Sequence, residues 1–107
     1  MLPLLYWTRQ SNRPDMTSPI TKEMTIINAR GLHARATSKF VQSAEGFQAV
    51  ITVSHNDMTV TGTSIMGLLM LGASLGKTIT VTATGEDAAA AISAIQSLID
   101  DKFGEHE

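Results

Sequence analysis

One short segment, residues 30–36, brings together the side chains best suited to chemistry in this chain. It reads Arg-Gly-Leu-His-Ala-Arg-Ala, and it leads into a run of good helix formers that extends to about residue 44. The first N–H groups of a helix lack internal partners, and together with the helix dipole they favour a bound phosphate. The guanidinium of Arg35 adds a planar array of donors for phosphate oxygens. In this position His33 can act as a nucleophile that accepts a phosphoryl group.

A second motif occupies residues 61–72. Ser64 is typical of a helix N-cap, a short apolar helix follows it, and Gly72 is a suitable stop. Taken alone, this pattern indicates a structural cap. The helix nevertheless carries more apolar side chains than one face can bury, so some should be exposed and mark a partner site. The apolar side chains that are too many for one buried face are Ile65, Met66, Leu69 and Met70.

The two motifs, in this order and at this spacing, resemble those of the HPr family, the histidine-containing phosphocarriers of the bacterial phosphotransferase system. The resemblance runs from about residue 24 to about residue 103. Residues 31–35 resemble the active-site signature, and residues 64–67 resemble the regulatory-serine segment. Many members have proline after the arginine, whereas this chain has Ala36, which keeps the helix start intact.

The resemblance implies that His33 accepts a phosphoryl group on Nδ1 from enzyme I, which is itself charged from phosphoenolpyruvate. An EIIA-type protein would then receive the group on a histidine. The N–H groups near Ala34 and Arg35 would hold the phosphate oxygens, and HPr kinase/phosphorylase would modify Ser64. The chain would be a phosphoryl carrier rather than an enzyme, cytoplasmic and monomeric, without cofactor or metal. The expected partner-binding residues are Ile65, Met66 and Leu69.

Two functional classes stay open at this point. The alternative to a carrier is a regulatory binding module of the same fold that acts through Ser64 and its apolar surface. The presence of both His33 and Arg35 favours the carrier. The residues do not distinguish sugar transport from a nitrogen-type regulatory branch. His55 is interpreted as an exposed structural residue of a hairpin turn, and His106 as part of a frayed tail.

Composition narrows the class of protein. The chain has 107 residues, enough for one small domain, and 43% of them are hydrophobic. Its net charge of -2 provides no basic field for nucleic acid, and an aromatic content of 5% offers little base stacking. There are 0 cysteines, so a disulfide or a thiolate metal site is excluded. The apolar runs are short and interrupted by Gly and Thr, which argues against a membrane span.

The first part of the chain, residues 1–20, is predicted to be a mobile extension, and residues 21–107 are predicted to form the HPr-like domain. The prolines of residues 1–20 argue against a regular element, and this segment lacks the basic start and cleavage site of a signal peptide. Met16 is an alternative translation start. Another interpretation is a partner-binding segment made of Leu4, Leu5, Tyr6 and Trp7.

Hydrophobic periodicity predicts the order β-α-β-β-α-β-α. The predicted strands are about residues 23–28, 48–53, 58–61 and 78–84. The first helix is predicted at about residues 34–44, and residues 85–87 are predicted to open the last one. Glu86 and Asp87 are expected in the first turn of the last helix, and Lys102 and Gly104 at its end. The fold class is α+β, a four-stranded antiparallel sheet with three helices on one face. The resemblance implies an open-faced β-sandwich, and the pattern alone also allows a ferredoxin-like domain with an extra helix.

Overall fold

The computed structural model of this protein describes residues 18–105. It contains four strands, three α-helices and a short 3-10 turn, in the predicted order. The strands are β1 (Ile20–Thr25), β2 (Val50–His55), β3 (Met58–Thr61) and β4 (Thr78–Thr84). The helices are α1 (Ala34–Glu45), α2 (Ile65–Leu71) and α3 (Ala88–Asp100), and the 3-10 turn is Lys102–Gly104.

The four strands form one antiparallel sheet in the order β1-β4-β2-β3. In β4 the buried residues Ile79, Val81 and Ala83 alternate with threonines that face away from the core. Hydroxyl pairs join neighbouring strands on that outer face, for example Thr21 with Thr82 at 3.1 Å. The sheet therefore has one apolar face and one polar face, as the strict alternation predicts.

The three helices cover the apolar face, and the core lies between them and the sheet. Helix α1 contributes Phe40 and Ala36, both fully buried, because its apolar residues recur at helical spacing. Helix α3 contributes a longer stripe made of Ala88, Ala91, Ile92, Ile95 and Ile99. These findings confirm the predicted fold class, a four-stranded antiparallel sheet with three helices.

Strand β1 lies about three residues earlier than predicted, since the chain leaves the sheet at Thr25. The next residue, Ile26, bonds to the loop before β4: its N–H donates to the carbonyl of Lys77, and its carbonyl accepts from Gly76. The predicted domain boundary after residue 20 therefore falls inside β1 by one residue. Strand β2 begins two residues later than predicted, although Ala49, Ile51 and Val53 are buried as expected.

Asp87 has a different role from the one predicted for it. Neither Glu86 nor Asp87 lies in the first turn of α3, and Asp87 makes no side-chain cap bond to that helix. Its carboxylate instead accepts hydrogen bonds from the N–H groups of Gln48 and Ala49, each at 2.8 Å. Asp87 is therefore the N-cap of α3 and not a residue of its first turn, and its carboxylate binds the backbone that enters β2.

No helix within residues 18–105 is long and apolar enough to cross a membrane. The expectations for the extension before residue 18, including Met16 and the Leu4–Trp7 segment, lie outside the described residues, as does His106.

Candidate functional site

His33 occupies the N-cap of α1, with extended backbone angles of φ -90 and ψ 179. Its carbonyl accepts the first helical hydrogen bond from Thr37, and its side chain makes no capping bond. The imidazole is therefore left available for other contacts, with 24% of its side-chain surface exposed. This confirms the predicted position of His33 at the start of the helix.

The turn that leads into His33 depends on Gly31. Its φ is +65, and a Cβ at this position would lie 2.7 Å from the carbonyl oxygen of Ala73. No other residue suits that combination of a left-handed backbone and a close backbone neighbour. The N–H of Leu32 then donates to the carbonyl of Ala73 at 2.9 Å. This hydrogen bond joins the His33 turn to the segment that follows α2.

The imidazole of His33 bonds to a carboxylate from the far end of the chain. Its Nε2 lies 2.5 Å from Oε2 of Glu105. Within residues 18–105, the structure gives Nδ1 of His33 no hydrogen-bond partner. Glu105 was not among the predicted site residues, since sequence reasoning placed the C-terminus in a frayed tail.

A left-handed turn, Lys102–Gly104, positions Glu105 beside His33. We call residues 102–105 the C-terminal arm. Its three turn residues have φ values of 56, 55 and 78. Phe103 is 1% exposed in the core, and its carbonyl accepts a 2.7 Å bond from Nζ of Lys39 in α1. The arm therefore continues the fold past α3, where Lys102 and Gly104 were predicted only to end the helix.

Asn28 is a second residue that sequence reasoning missed. It is fully buried, and its Nδ2 donates to the carbonyl of Gly31 at 2.9 Å and to Oε1 of Glu105 at 3.0 Å. Both neighbours are acceptors, so the amide group must be oriented with Nδ2 towards them. Its Oδ1 is buried and has no hydrogen-bond partner among residues 18–105.

The pKa of Glu105 is held below its usual range. Burial acts in the opposite direction and raises this pKa, but it is outweighed by hydrogen bonds from His33 and Asn28, by the positive charge that His33 carries when its ring is protonated, and by the charge of Arg30. Glu105 is therefore a carboxylate at neutral pH and can only accept hydrogen bonds.

Arg35 and Ala34 lie in the first turn of α1, and both are exposed. Among residues 18–105 no side chain pairs with the Arg35 guanidinium. An exposed arginine thus lies two residues after His33, in the first turn of the helix. Both residues lie at the helix start, as the sequence predicted, and their binding of phosphate stays a prediction.

His55 differs from its predicted state. It ends β2 and is partly buried rather than fully exposed, and its Nδ1 lies 3.1 Å from the carbonyl oxygen of Thr78. The left-handed turn at Asn56 and Asp57, with φ of 49 and 64, folds the hairpin and turns the ring towards β4. No cluster of three or more metal-binding side chains occurs in the described part of the chain.

Ser64 caps α2 as predicted: its Oγ accepts a hydrogen bond from the N–H of Gly67 at 2.9 Å. Gly72 ends the helix in the left-handed conformation, with φ 65. Leu68 and Leu71 are buried, whereas Ile65 and Met66 are 43% and 67% exposed.

The exposed apolar face of α2 differs from the prediction at one position. Leu69 is only partly exposed, while Met70 is 63% exposed. We therefore define the α2 patch as Ile65, Met66 and Met70. The hydrogen bond from Leu32 to Ala73 joins the His33 turn to the end of α2, near Met70, rather than to its start at Ser64.

The cap bond gives a direct stability prediction. Ser64→Ala removes the acceptor for the Gly67 N–H, and we expect it to lower the free energy of unfolding by about 1 kcal/mol. Ser93→Ala is the matched control, because Ser93 is exposed inside α3 and alanine favours helix there. Urea denaturation of both variants measures the difference, and an equal stability for the two would contradict the capping role.

Comparisons with known proteins show the family to which this chain belongs. A family model described as the phosphorylation site of the PTS HPr component matches residues 20–101. The phosphocarrier protein HPr of Neisseria meningitidis is 46% identical over 88 residues, which cover 82% of this chain and 99% of that protein. The phosphocarrier protein NPr of Shewanella violacea is 44% identical over 86 residues, covering 80% of this chain and 94% of that protein.

A solved structure shares the fold at similar identity. The crystal structure of HPr-C-His from Thermoanaerobacter tengcongensis superposes with a TM-score of 0.75 at 41% identity, covering 84% of this chain and 99% of that chain. The family match, the identities and the shared fold point to one family. This chain therefore belongs to the HPr family of phosphocarrier proteins of the phosphotransferase system.

Proposed function

We propose that this protein carries a phosphoryl group on Nδ1 of His33, taking it from phosphorylated enzyme I and passing it to a histidine of an EIIA-type protein. The observation that carries the proposal is the N-cap position of His33, with Nδ1 unpartnered among the described residues and Arg35 two residues away. Membership of the phosphocarrier family supports the same reaction.

Phosphoryl transfer needs a nucleophile and hydrogen-bond donors that stabilise the negative charge of the transferring group. The lone pair of Nδ1 forms a bond to phosphorus while the bond from phosphorus to the donor nitrogen breaks, and its electron pair leaves with the donor. The transferring group carries negative charge on its oxygens, which preorganised donors stabilise. The N–H groups near Ala34 and the guanidinium of Arg35, in the first turn of α1, would supply those donors.

The α2 patch is the proposed docking surface for both partners. Its three side chains are exposed and apolar, and two of them are methionines, whose flexible side chains adapt to differently shaped surfaces. A carrier must bind a donor and then an acceptor with the same face. Leu69 contributes at the edge of this surface as a partly exposed side chain.

Met66→Glu is expected to weaken binding to enzyme I and to the EIIA-type acceptor by about fivefold, because it places a charge in an apolar contact. Val50→Glu is the matched control, since Val50 is 66% exposed and Met66 67%, and Val50 lies at the start of β2. Titration of labelled protein with each partner measures both affinities. Equal affinities for the two variants, with both shown to be folded, would exclude the α2 patch as the docking surface.

Ser64 is the proposed regulatory site on the same surface, with HPr kinase/phosphorylase as the modifying enzyme. Its hydroxyl is partly exposed at the start of α2, next to Ile65. A phosphate there would add about two negative charges at the edge of the α2 patch. The Ser64-phosphorylated protein is therefore expected to behave like Met66→Glu in the same titrations.

Incubation with enzyme I and phosphoenolpyruvate tests the proposed function. The chain is expected to take up one acid-labile phosphate and to pass it to an EIIA-type protein. Failure to take up phosphate while an HPr of known activity does so in parallel would contradict it.

A further inference from the structure

We infer that Glu105 and Asn28 are positioning residues for the phosphoryl transfer: they hold the proton of the His33 imidazole on Nε2 so that Nδ1 presents its lone pair. This inference rests on the proposed function, since it concerns the same ring. It assigns a role to the C-terminal arm, whose Glu105 lies 72 residues from His33 in the chain.

The direction of the hydrogen bond follows from the ionisation of Glu105. A carboxylate has lone pairs but no proton, so the Nε2–Oε2 contact requires the hydrogen to be on Nε2. In a neutral imidazole only one nitrogen carries hydrogen, and the partner of one nitrogen thereby determines the state of the other. Nδ1 is then the unprotonated, nucleophilic nitrogen, and it is the one without a partner among residues 18–105.

Asn28 fixes the orientation of the Glu105 carboxylate through its second oxygen. Its Nδ2 binds Oε1 of Glu105, the oxygen that His33 does not use, and it also binds the carbonyl of Gly31. One buried amide thus connects the carboxylate to the turn that carries the histidine. Carboxylates that orient a reactive histidine in other proteins are commonly fixed in this way by a further hydrogen bond.

The arm that carries Glu105 is itself anchored. Phe103 is buried in the core, and Lys39 binds its carbonyl. The side chain of Glu105 is only 10% exposed, whereas carboxylates in surface ion pairs are largely exposed to solvent. These contacts favour a permanent role for Glu105 at the ring over a transient one.

The carboxylate also complements the charge that transfer creates. As the Nδ1–phosphorus bond forms and the bond to the donor nitrogen breaks, the ring keeps its Nε2 proton and gains positive charge. Glu105 stabilises that charge without any proton leaving the ring. When the group moves on to the acceptor histidine, the electron pair of the Nδ1–phosphorus bond returns to Nδ1 and the ring is neutral again.

His55 provides an internal reference within the same chain. Its Nδ1 faces the carbonyl oxygen of Thr78, which can only accept, so the proton of His55 should be on Nδ1. The two rings are therefore predicted to be opposite tautomers.

The experiment is nitrogen and proton NMR of the full chain labelled with ¹⁵N-histidine, at a pH where the rings are neutral, with signals assigned by substitution. The wild type is expected to show His33 protonated on Nε2, with a far-downfield N–H proton, and His55 protonated on Nδ1. Glu105→Gln should move or abolish the His33 N–H signal and leave His55 unchanged. Single-turnover transfer from phosphorylated enzyme I should also fall by about fivefold in Glu105→Gln.

Asp100→Asn is the matched control, because it removes the same charge from the end of α3, where Asp100 binds Gln96. Its His33 signal and transfer rate should equal those of the wild type. A wild-type His33 protonated on Nδ1, or a Glu105→Gln variant with unchanged signal and rate, would overturn the inference. Absence of phosphate uptake by the wild type would instead overturn the proposed function, since the ring spectra are recorded without phosphate.

Discussion

His33→Ala is expected to take up no acid-labile phosphate from enzyme I and phosphoenolpyruvate. The substitution removes Nδ1, which no other atom of the site can replace, so the effect is complete rather than partial. The guanidinium of Arg35 can hold phosphate oxygens but forms no transferable phosphorus–nitrogen bond under these conditions. Radiolabelled phosphoenolpyruvate followed by acid treatment of the isolated protein measures the uptake.

His55→Ala is the control for this result, since His55 is also a partly exposed histidine but bonds to the Thr78 carbonyl away from α1. It should still take up one phosphate. Acid-labile phosphate on a folded His33→Ala protein would show that the acceptor lies elsewhere in the chain and would contradict the assignment of His33.

Arg35→Ala is expected to slow phosphoryl transfer by at least about tenfold, equivalent to about 1.4 kcal/mol of barrier. Arg35 is exposed in the first turn of α1 and contributes nothing to the buried core, so the loss should appear in the rate and not in the stability. Stopped-flow transfer from phosphorylated enzyme I, together with a thermal melt of the same preparation, separates the two effects.

Lys22→Ala is the matched control for Arg35, because it removes an exposed cation from β1 without touching the helix start. It should transfer at the wild-type rate, whereas Arg35→Lys should recover part of the loss by restoring charge without the planar donor array. A melting temperature that falls sharply in Arg35→Ala, while the protein still folded transfers normally, would show a structural role instead.

Local patterns predicted much of the fold because each one reports a physical constraint within a few residues. The alternation in residues 78–84 requires one buried and one polar face, and β4 has those bounds. Ser64 and Gly72 bracket α2 because a hydroxyl and a left-handed glycine satisfy the groups that helix ends leave unpaired. His33 and Arg35 were located by the same kind of local argument.

The parts of the site that sequence reasoning missed depend on contacts between distant residues. Asn28 resembled the end of a strand, and only the fold shows that its amide faces both Gly31 and Glu105. Glu105 lies beyond the last periodic helix, and nothing local indicates that Phe103 enters the core and carries the arm back to α1. Asp87 was misassigned for the same reason, because its two donors belong to residues 48 and 49.

The position of the phosphate on the loaded protein tests the central claim most directly. Phosphorus and nitrogen NMR of the ¹⁵N-histidine-labelled chain, charged by enzyme I and phosphoenolpyruvate, identifies both the residue and the ring nitrogen. We predict a single phosphorus–nitrogen coupling to Nδ1 of His33, with His55 and His106 unmodified. Phosphate on either of those two histidines, or on Nε2 of His33, would contradict the proposed site.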